Sequence, residues 1–194
     1  MQRREVIRIL GSIAAGSMLS QYSPDRLYAI GRETHERLAR RTARRLLDPH
    51  QHETVATLAE LIIPETDTPG ACAAGVSGFI DLIVAEWYTA EERTRFLEGI
   101  ADIDRRSQVA IGRLFVEAPQ SYQEQILSEL ESELLTFRQA GGKPEEHFFH
   151  QIKYLTLYGY YTSRVGVEHE LHWTPIPARY DPCVATGIGR SESH

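Results

Sequence analysis

This chain of 194 residues has few of the features that mark a self-contained redox or metal centre. Its two cysteines, Cys72 and Cys183, are too few for a disulfide-rich scaffold, a four-cysteine zinc site or a cysteine-ligated four-iron cluster. It has no Cys-x-x-Cys-His sequence for covalent haem, no Walker loop, and no Gly-x-Gly-x-x-Gly or Gly-x-Ser-x-Gly motif. The sequence therefore predicts no catalytic residue, no cofactor site and no metal site in this chain.

The composition is that of an ordinary globular protein of about one domain. Hydrophobic residues make up 42% of the chain and charged residues 25%, which excludes collagen, general disorder and a polytopic membrane protein. Residues 1–46 carry ten arginines and four acidic residues, whereas the remainder carries 11 basic and 23 acidic residues. The basic front predicts a targeting segment before a folded body. The acidic body argues against nucleic acid as the main partner.

Residues 1–22 have the pattern of an export signal. Arg3 and Arg4 lie in a charged leader, and a short apolar run rich in glycine and alanine follows. The run is shorter than the roughly 20 apolar residues of a membrane anchor. The paired arginines resemble a bacterial twin-arginine signal, which predicts export to the periplasm, although Gln2 and Val6 depart from the commonest form. The alternative is an ordinary amphipathic helix, and no clean cleavage sequence follows.

The rest of the chain shows helical periodicity and no convincing succession of strands. Apolar residues at steps of three and four predict five helices, over about 53–63, 79–88, 91–115, 121–137 and 144–160. We therefore expect an all-α fold, a single helical bundle over 48–185, with an irregular C-terminal tail from about Val165 that contains aromatic residues and prolines. Residues 23–47 are rich in arginine and have a thin apolar stripe, which favours a linker or an exposed helix. Residues 186–194 form a polar tail.

Two histidine pairs are the strongest candidates for metal ligands in the chain. His147 and His150 lie three residues apart on a predicted helix and share a face, and His169 and His172 repeat the spacing. Neither pair has an identifiable third ligand, and surface or capping roles account for them more simply. A stand-alone periplasmic enzyme or metal-binding protein that uses these pairs remains the alternative hypothesis.

The most unusual stretch runs from Pro64 to Val76. Two prolines restrict its backbone, and the short polar side chains of Thr66, Asp67 and Thr68 are suited to capping a following helix. Small residues around Gly70 allow another backbone to approach closely. The stretch is either a rigid connection between helices or a docking surface, and local chemistry alone does not separate the two.

Several runs of this sequence resemble the gluconate 2-dehydrogenase subunit 3 family. They span about residues 50–185 and comprise residues 58–71, 74–76, 79–81, 87–88, 155–163 and 175–183. The resemblance implies a small, non-catalytic accessory subunit that helps a large partner to mature and be exported. The implied partner is an FAD-dependent sugar or polyol dehydrogenase of the glucose–methanol–choline type, with haem c in a third subunit of some complexes. The chain itself would hold no cofactor.

A docking role makes several residues candidates for a partner interface. Aromatic residues are enriched in interface cores, but those on helices are also common in protein cores. The candidates are Thr66, Asp67, Pro69, Gly70, Tyr160, Trp173, Tyr180 and Cys183. In an oxidising compartment, Cys72 and Cys183 form an internal disulfide, Cys183 bridges to the partner, or both stay buried thiols. An internal bridge would close a loop of about 110 residues, for a stabilisation of about 4–5 kcal/mol.

Overall fold

The computed structural model describes residues 23–40 and 45–170, and this described part is built from helices without any β-strand. The prediction of an all-α bundle is therefore confirmed. Six α-helices follow one another along the chain: α1 Pro24–Ala39, α2 Pro49–Ile62, α3 Val76–Trp87, α4 Ala90–Ile111, α5 Gln120–Gln139 and α6 Phe148–Thr162. Short 3₁₀ turns occur at Phe115–Glu117 and Pro144–Glu146, and a π-helical turn covers Gly166–Glu170. The predicted signal over 1–22 and the polar tail over 186–194 lie outside the described residues.

The helix ends follow local capping chemistry that apolar periodicity does not reveal. Helix α2 begins four residues earlier than predicted, because Asp48 forms a capping box with Gln51 ahead of Pro49. Helix α4 begins with a second capping box between Thr89 and Glu92. The prediction that α4 continues to residue 115 is wrong.

The C-terminal end of α4 is set by glycine and not by hydrophobicity. The helix ends at Ile111 because Gly112 takes a left-handed conformation with φ of 70°, which a side chain disfavours. Phe115 lies beyond this stop and begins a 3₁₀ turn, with its side chain fully buried. The Oδ1 atom of Asp104 accepts a hydrogen bond from the Phe115 backbone N–H at 3.1 Å. The Phe115 side chain thus packs in the core although the residue lies outside α4.

Helices α3 and α6 form the centre of the bundle. Phe79 and Ile83 of α3, and Ile152 and Tyr158 of α6, have no accessible surface. The two helices approach closely at Gly159, where a Cβ atom would lie 2.8 Å from the ring of Phe79. The other helices surround this pair, and their apolar faces complete one continuous core.

The structure corrects the prediction that residues 23–47 form a linker or exposed helix without a role in the core. Helix α1 packs against α3 and α6, and Leu27 on its inner face is fully buried. A Cβ atom on Gly31 would lie 2.6 Å from the Thr162 hydroxyl, so a small residue is needed where the helices cross. The Tyr158 hydroxyl donates a hydrogen bond to the Leu27 carbonyl. The buried face includes glycine and threonine, which explains why its apolar stripe looked thin.

The described part of the predicted irregular tail is ordered into a helical turn. Residues Gly166–Glu170 form the π-helical turn, in which Gly166 and Val167 are buried. The turn follows directly on the end of α6, where the Ser163 hydroxyl accepts from the Gly166 N–H at 3.0 Å. The prediction of irregular structure from Val165 onwards is thus wrong as far as residue 170, and the tail beyond lies outside the described residues.

Candidate functional site

The connection between α2 and α3 presents one exposed stretch on a buried base. Its residues Pro64, Glu65, Thr66 and Asp67 are exposed, whereas Gly70 and Ala71 are buried. The Ala71 N–H donates to the Ile63 carbonyl at 2.9 Å, which closes the base of the loop. We call residues 64–67 the exposed segment.

Glu60, in the last turn of α2, holds both sides of this connection. Its Oε1 atom accepts from the Glu65 backbone N–H at 2.9 Å, and its Oε2 atom accepts from the Cys72 N–H at 2.8 Å. A carboxylate that accepts two backbone hydrogen bonds satisfies donors that a turn would otherwise leave to solvent. Gly70 lies directly beneath, and a Cβ atom there would come within 2.2 Å of Oε1. The glycine is therefore required by the carboxylate.

Tyr160 supports the same connection from the central helix. Its hydroxyl donates to the Pro69 carbonyl at 2.8 Å, and its side chain is only 2% exposed. Burial raises the pKa of this hydroxyl, so it stays protonated and keeps its donor. The expectation that Tyr160 offers its ring to a partner is wrong for the described fold, because the ring is packed inside the chain. Its contribution to the exposed segment is to position it.

The polar residues of the exposed segment pair with each other and do not cap α3. The Thr66 hydroxyl donates to Oδ1 of Asp67 at 3.0 Å, and the Thr66 N–H donates to the Thr68 carbonyl at 3.0 Å. The N-cap of α3 is Gly75, with φ of 70° and no side-chain capping bond. The predicted capping role of these threonines and the aspartate is therefore wrong. Their side chains instead stiffen a turn that solvent, or a partner, can reach.

Cys72 is an exposed free thiol beside this segment, so the option of two buried thiols does not hold for it. Its Sγ atom donates to the Ala56 carbonyl at 3.6 Å. Local burial and the neighbouring Glu60 raise the pKa of the thiol to about 11, so the thiolate is scarce at neutral pH. Cys183 lies outside the described residues, and its pairing with Cys72 or with a partner remains a prediction.

Five other predicted site residues also lie outside the described part of the chain. They are the signal residues Arg3 and Arg4, the interface candidates Trp173 and Tyr180, and His172 of the second histidine pair. Of the eight interface candidates, the structure brings together Thr66, Asp67, Pro69, Gly70 and Tyr160 around a single connection.

The prediction that His147 and His150 share a helical face is wrong. His147 is the N-cap of α6 and has extended backbone angles, whereas His150 lies within the helix. The Nδ1 atom of His147 accepts from the Phe149 N–H at 3.2 Å, so this imidazole acts as a cap. Over residues 23–40 and 45–170, no three or more His, Cys, Asp or Glu side chains are grouped to hold a metal ion.

Sequence reasoning missed the carboxylates that fasten the connections between helices. Asp81, 3% exposed within α3, accepts from the backbone N–H groups of Leu46 and Leu47 through Oδ1, at 2.8 and 3.0 Å. His50 and Asp104 form a further contact between α2 and α4, with Nε2 and Oδ2 2.6 Å apart. The available signal was an acidic residue within an apolar run, because such a group is rarely buried without partners.

Comparison with protein families assigns the chain. The model of the family described as gluconate 2-dehydrogenase subunit 3 matches residues 49–178, about two thirds of the sequence. The chain belongs to this family. No curated protein and no solved structure matches it. The match to the subunit 3 family begins at the first residue of α2 and includes the connection held by Glu60 and Tyr160, whereas α1 precedes it.

Membership of the subunit 3 family makes this chain a component of a dehydrogenase complex that contains other subunits. It also indicates an accessory role within that complex. None of the helices in the described ranges is long and apolar enough to cross a membrane. The features that hold the α2–α3 connection in place are thus the internal supports of an accessory subunit.

Proposed function

We propose that this chain is a non-catalytic accessory subunit that binds a large FAD-dependent dehydrogenase and supports its maturation and export. The single observation that carries this proposal is the family match over residues 49–178. The partner proposed is a flavoprotein of the glucose–methanol–choline type that oxidises a sugar or polyol. FAD belongs to that partner, and haem c to a cytochrome subunit of the same complex. The role of this chain is chaperone-like.

The exposed segment is the proposed contact with the large subunit. The two backbone hydrogen bonds that Glu60 accepts and the one that Tyr160 donates order this connection in the free chain, so binding costs little further conformational entropy. Glu65 and Asp67 make the exposed segment acidic, which favours a basic complementary surface on the partner. Trp173, Tyr180 and Cys183 are proposed to extend this contact.

Co-purification of the two subunits tests this contact directly. Tagged chain is co-expressed with the dehydrogenase, and the amount of large subunit retained is compared with that retained by Asp67→Lys. We expect Asp67→Lys to retain at least tenfold less, because charge reversal opposes a basic partner surface. Glu98→Lys, an exposed charge reversal on α4, is the matched control and should retain as much as wild type. Equal retention by both variants would reject the exposed segment as the contact.

Export by the twin-arginine route is the second part of the proposal. Replacing Arg3 and Arg4 together by lysine keeps the charge and removes the paired guanidinium groups. We expect both this chain and the dehydrogenase to remain in the cytoplasm, as measured by fractionation of periplasm and cytoplasm. Normal export of the dehydrogenase beside the double variant would reject this export role.

A purified chain with stoichiometric metal, or with turnover of its own, would favour the stand-alone alternative.

A further inference from the structure

Each end of α6 forms a hydrogen bond with an imidazole. The N-terminal end requires an acceptor and the C-terminal end requires a donor. The first N–H groups of a helix lack acceptors within it, and the last carbonyl groups lack donors. Helix α6 runs through the centre of the bundle, contacts each of the other five described α-helices, and carries Tyr160. The groups that hold its ends therefore affect the whole fold.

At the N-terminal end, His147 serves as an acceptor. Its Nδ1 atom lies 3.2 Å from the backbone nitrogen of Phe149, which donates. This bond requires a lone pair on Nδ1, and an imidazolium has donors on both nitrogens and no acceptor. Protonation of Nδ1 therefore removes the cap. It also places a positive charge beside the positive end of the helix dipole.

The surroundings of His147 oppose its protonation while leaving it open to solvent. The ring packs against Phe137, with centroids 5.6 Å apart, on an open groove of about 460 Å³ that Glu133 also lines. Burial lowers the pKa of His147, and positive charge from Arg106 of α4 and from His150 acts in the same direction. Glu133 of α5 has the opposite effect, but it is itself bound to Arg106, with Nη2 and Oε2 3.0 Å apart.

At the C-terminal end, His35 of α1 serves as a donor. The Ser163 N–H bonds to the Tyr160 carbonyl, and the Gly159 carbonyl instead lies 2.8 Å from Nε2 of His35. Because a carbonyl only accepts, Nε2 carries the hydrogen. The ring is stacked on Phe79 with centroids 4.8 Å apart. Burial lowers the pKa of His35, against a smaller opposing effect of the bond to Gly159.

The charged groups on the helices that face His35 have other partners. On α3, Asp81 accepts from the backbone of Leu46 and Leu47, and Glu86 forms a two-pronged ion pair with Arg37 of α1. On α6, Lys153 pairs with Glu131 of α5. Among the described residues, the pKa of His35 is thus affected by burial and by the hydrogen bond to the Gly159 carbonyl.

We propose that α6 is a pH-responsive helix, held at both ends by neutral His147 and His35 and loosened when these imidazoles take up protons. Protonation of His147 breaks a cap, and protonation of His35 places a charge between α1, α3 and α6. Both imidazoles bind protons less readily in the folded chain than in the unfolded chain. Their contribution to the free energy of unfolding is therefore fully present above the unfolded histidine pKa of about 6.5. It falls as the pH drops below that value. This concerns the chain alone and does not rest on the proposed function.

Thermal unfolding of the full chain at pH 7.5 and pH 5.0 tests the proposal. The double variant His35→Gln/His147→Asn retains a donor and a good N-cap without a group that titrates in this range. We expect the Tm of wild type to fall on acidification by about 2–4 °C more than that of the double variant. His169→Gln, at an exposed position, is the matched control and should behave as wild type does. Equal falls in wild type and the double variant would overturn the proposal.

Two measurements on the wild-type chain do not depend on the variants folding. In an NMR titration, His35 and His147 should have midpoints below about 6.5, and midpoints above this value would overturn the proposal. Hydrogen exchange, corrected for its intrinsic dependence on pH, should show greater opening of α6 at pH 5.0 than at pH 7.5, while α5 changes less. Uniform opening of both helices would equally overturn it.

Discussion

The carboxylate of Glu60 occupies the space that a side chain at Gly70 would need, since a Cβ atom there would lie 2.2 Å from Oε1. The same carboxylate accepts from the backbone N–H groups of Glu65 and Cys72. One glycine and one acidic residue, ten positions apart in sequence, thus determine the conformation of the α2–α3 connection. Glu60 and Gly70, which both lie in the region that the family model matches, therefore have a structural reason for their residue types.

Replacing Gly70 by alanine should disrupt this arrangement. The added methyl group forces Glu60 away from its two donors, and we expect a loss of about 1–3 kcal/mol in the free energy of unfolding. Urea denaturation measures it. Gly78→Ala is the matched control, because the nearest atom to its Cβ is 3.6 Å away on Leu38 and alanine favours a helix. That variant should be as stable as wild type or slightly more stable, and equal losses in both variants would contradict the account.

Removing the Tyr160 hydroxyl should weaken the support of the exposed segment without disturbing the core. Tyr160→Phe retains the buried ring and loses the bond to the Pro69 carbonyl, for an expected cost of about 0.5–1.5 kcal/mol in urea denaturation. Hydrogen exchange should show faster exchange in residues 63–72. Tyr122→Phe on α5, whose hydroxyl has no hydrogen-bond partner among the described residues, should cost less. Unchanged exchange in Tyr160→Phe would show that the hydroxyl does not order this connection.

Asp81 offers a comparison between an isosteric and an apolar substitution. Asp81→Asn retains an oxygen that can accept from Leu46 and Leu47, so we expect a mild loss of stability. Asp81→Leu leaves both N–H groups without that acceptor in a buried site, which should cost about 2–4 kcal/mol. Chemical denaturation of both variants measures the difference. If asparagine were as damaging as leucine, the negative charge of Asp81 and not its two hydrogen bonds would be the stabilising feature.

The role of α1 in the core is tested at Leu27. This side chain is fully buried against the bundle, so Leu27→Ala should lower the free energy of unfolding by about 2–5 kcal/mol. Val109→Ala on α4 is the control, because Val109 is 80% exposed and its truncation should change stability by less than about 0.5 kcal/mol. A negligible effect of Leu27→Ala would mean that α1 behaves as the exposed helix that sequence reasoning expected.

The sequence was sufficient to predict the fold class and most of the helices. Apolar side chains such as Phe79 and Ile83 recur at helical steps, and Pro64 limits α2 as expected. It was not sufficient for α1, because Gly31 and Thr34 are buried on that helix and neither is strongly hydrophobic. The periodicity of apolar residues reflects how favourable it is to bury each side chain in a core. It contains no information on where two backbones approach closely.

The candidate site was predicted in position but not in mechanism. Thr66 and Asp67 are exposed on the expected connection, since prolines and small residues mark turns reliably. The roles of Glu60 and Tyr160 were not predicted, because each depends on a contact with a residue distant in sequence. In the sequence, a glutamate in the last turn of a helix such as Glu60 is expected to face solvent. Its two hydrogen bonds become evident only from the folded position of the connection that follows it.

The proposal that this chain serves a flavoprotein partner is tested most directly by the flavin content of that partner. The dehydrogenase is purified from cells with and without this chain, and its ratio of flavin absorbance to protein is determined. We expect a ratio near one flavin per large subunit when the chain is present, and a several-fold lower ratio when it is absent. A fully loaded and normally exported dehydrogenase in cells that lack the chain would contradict it.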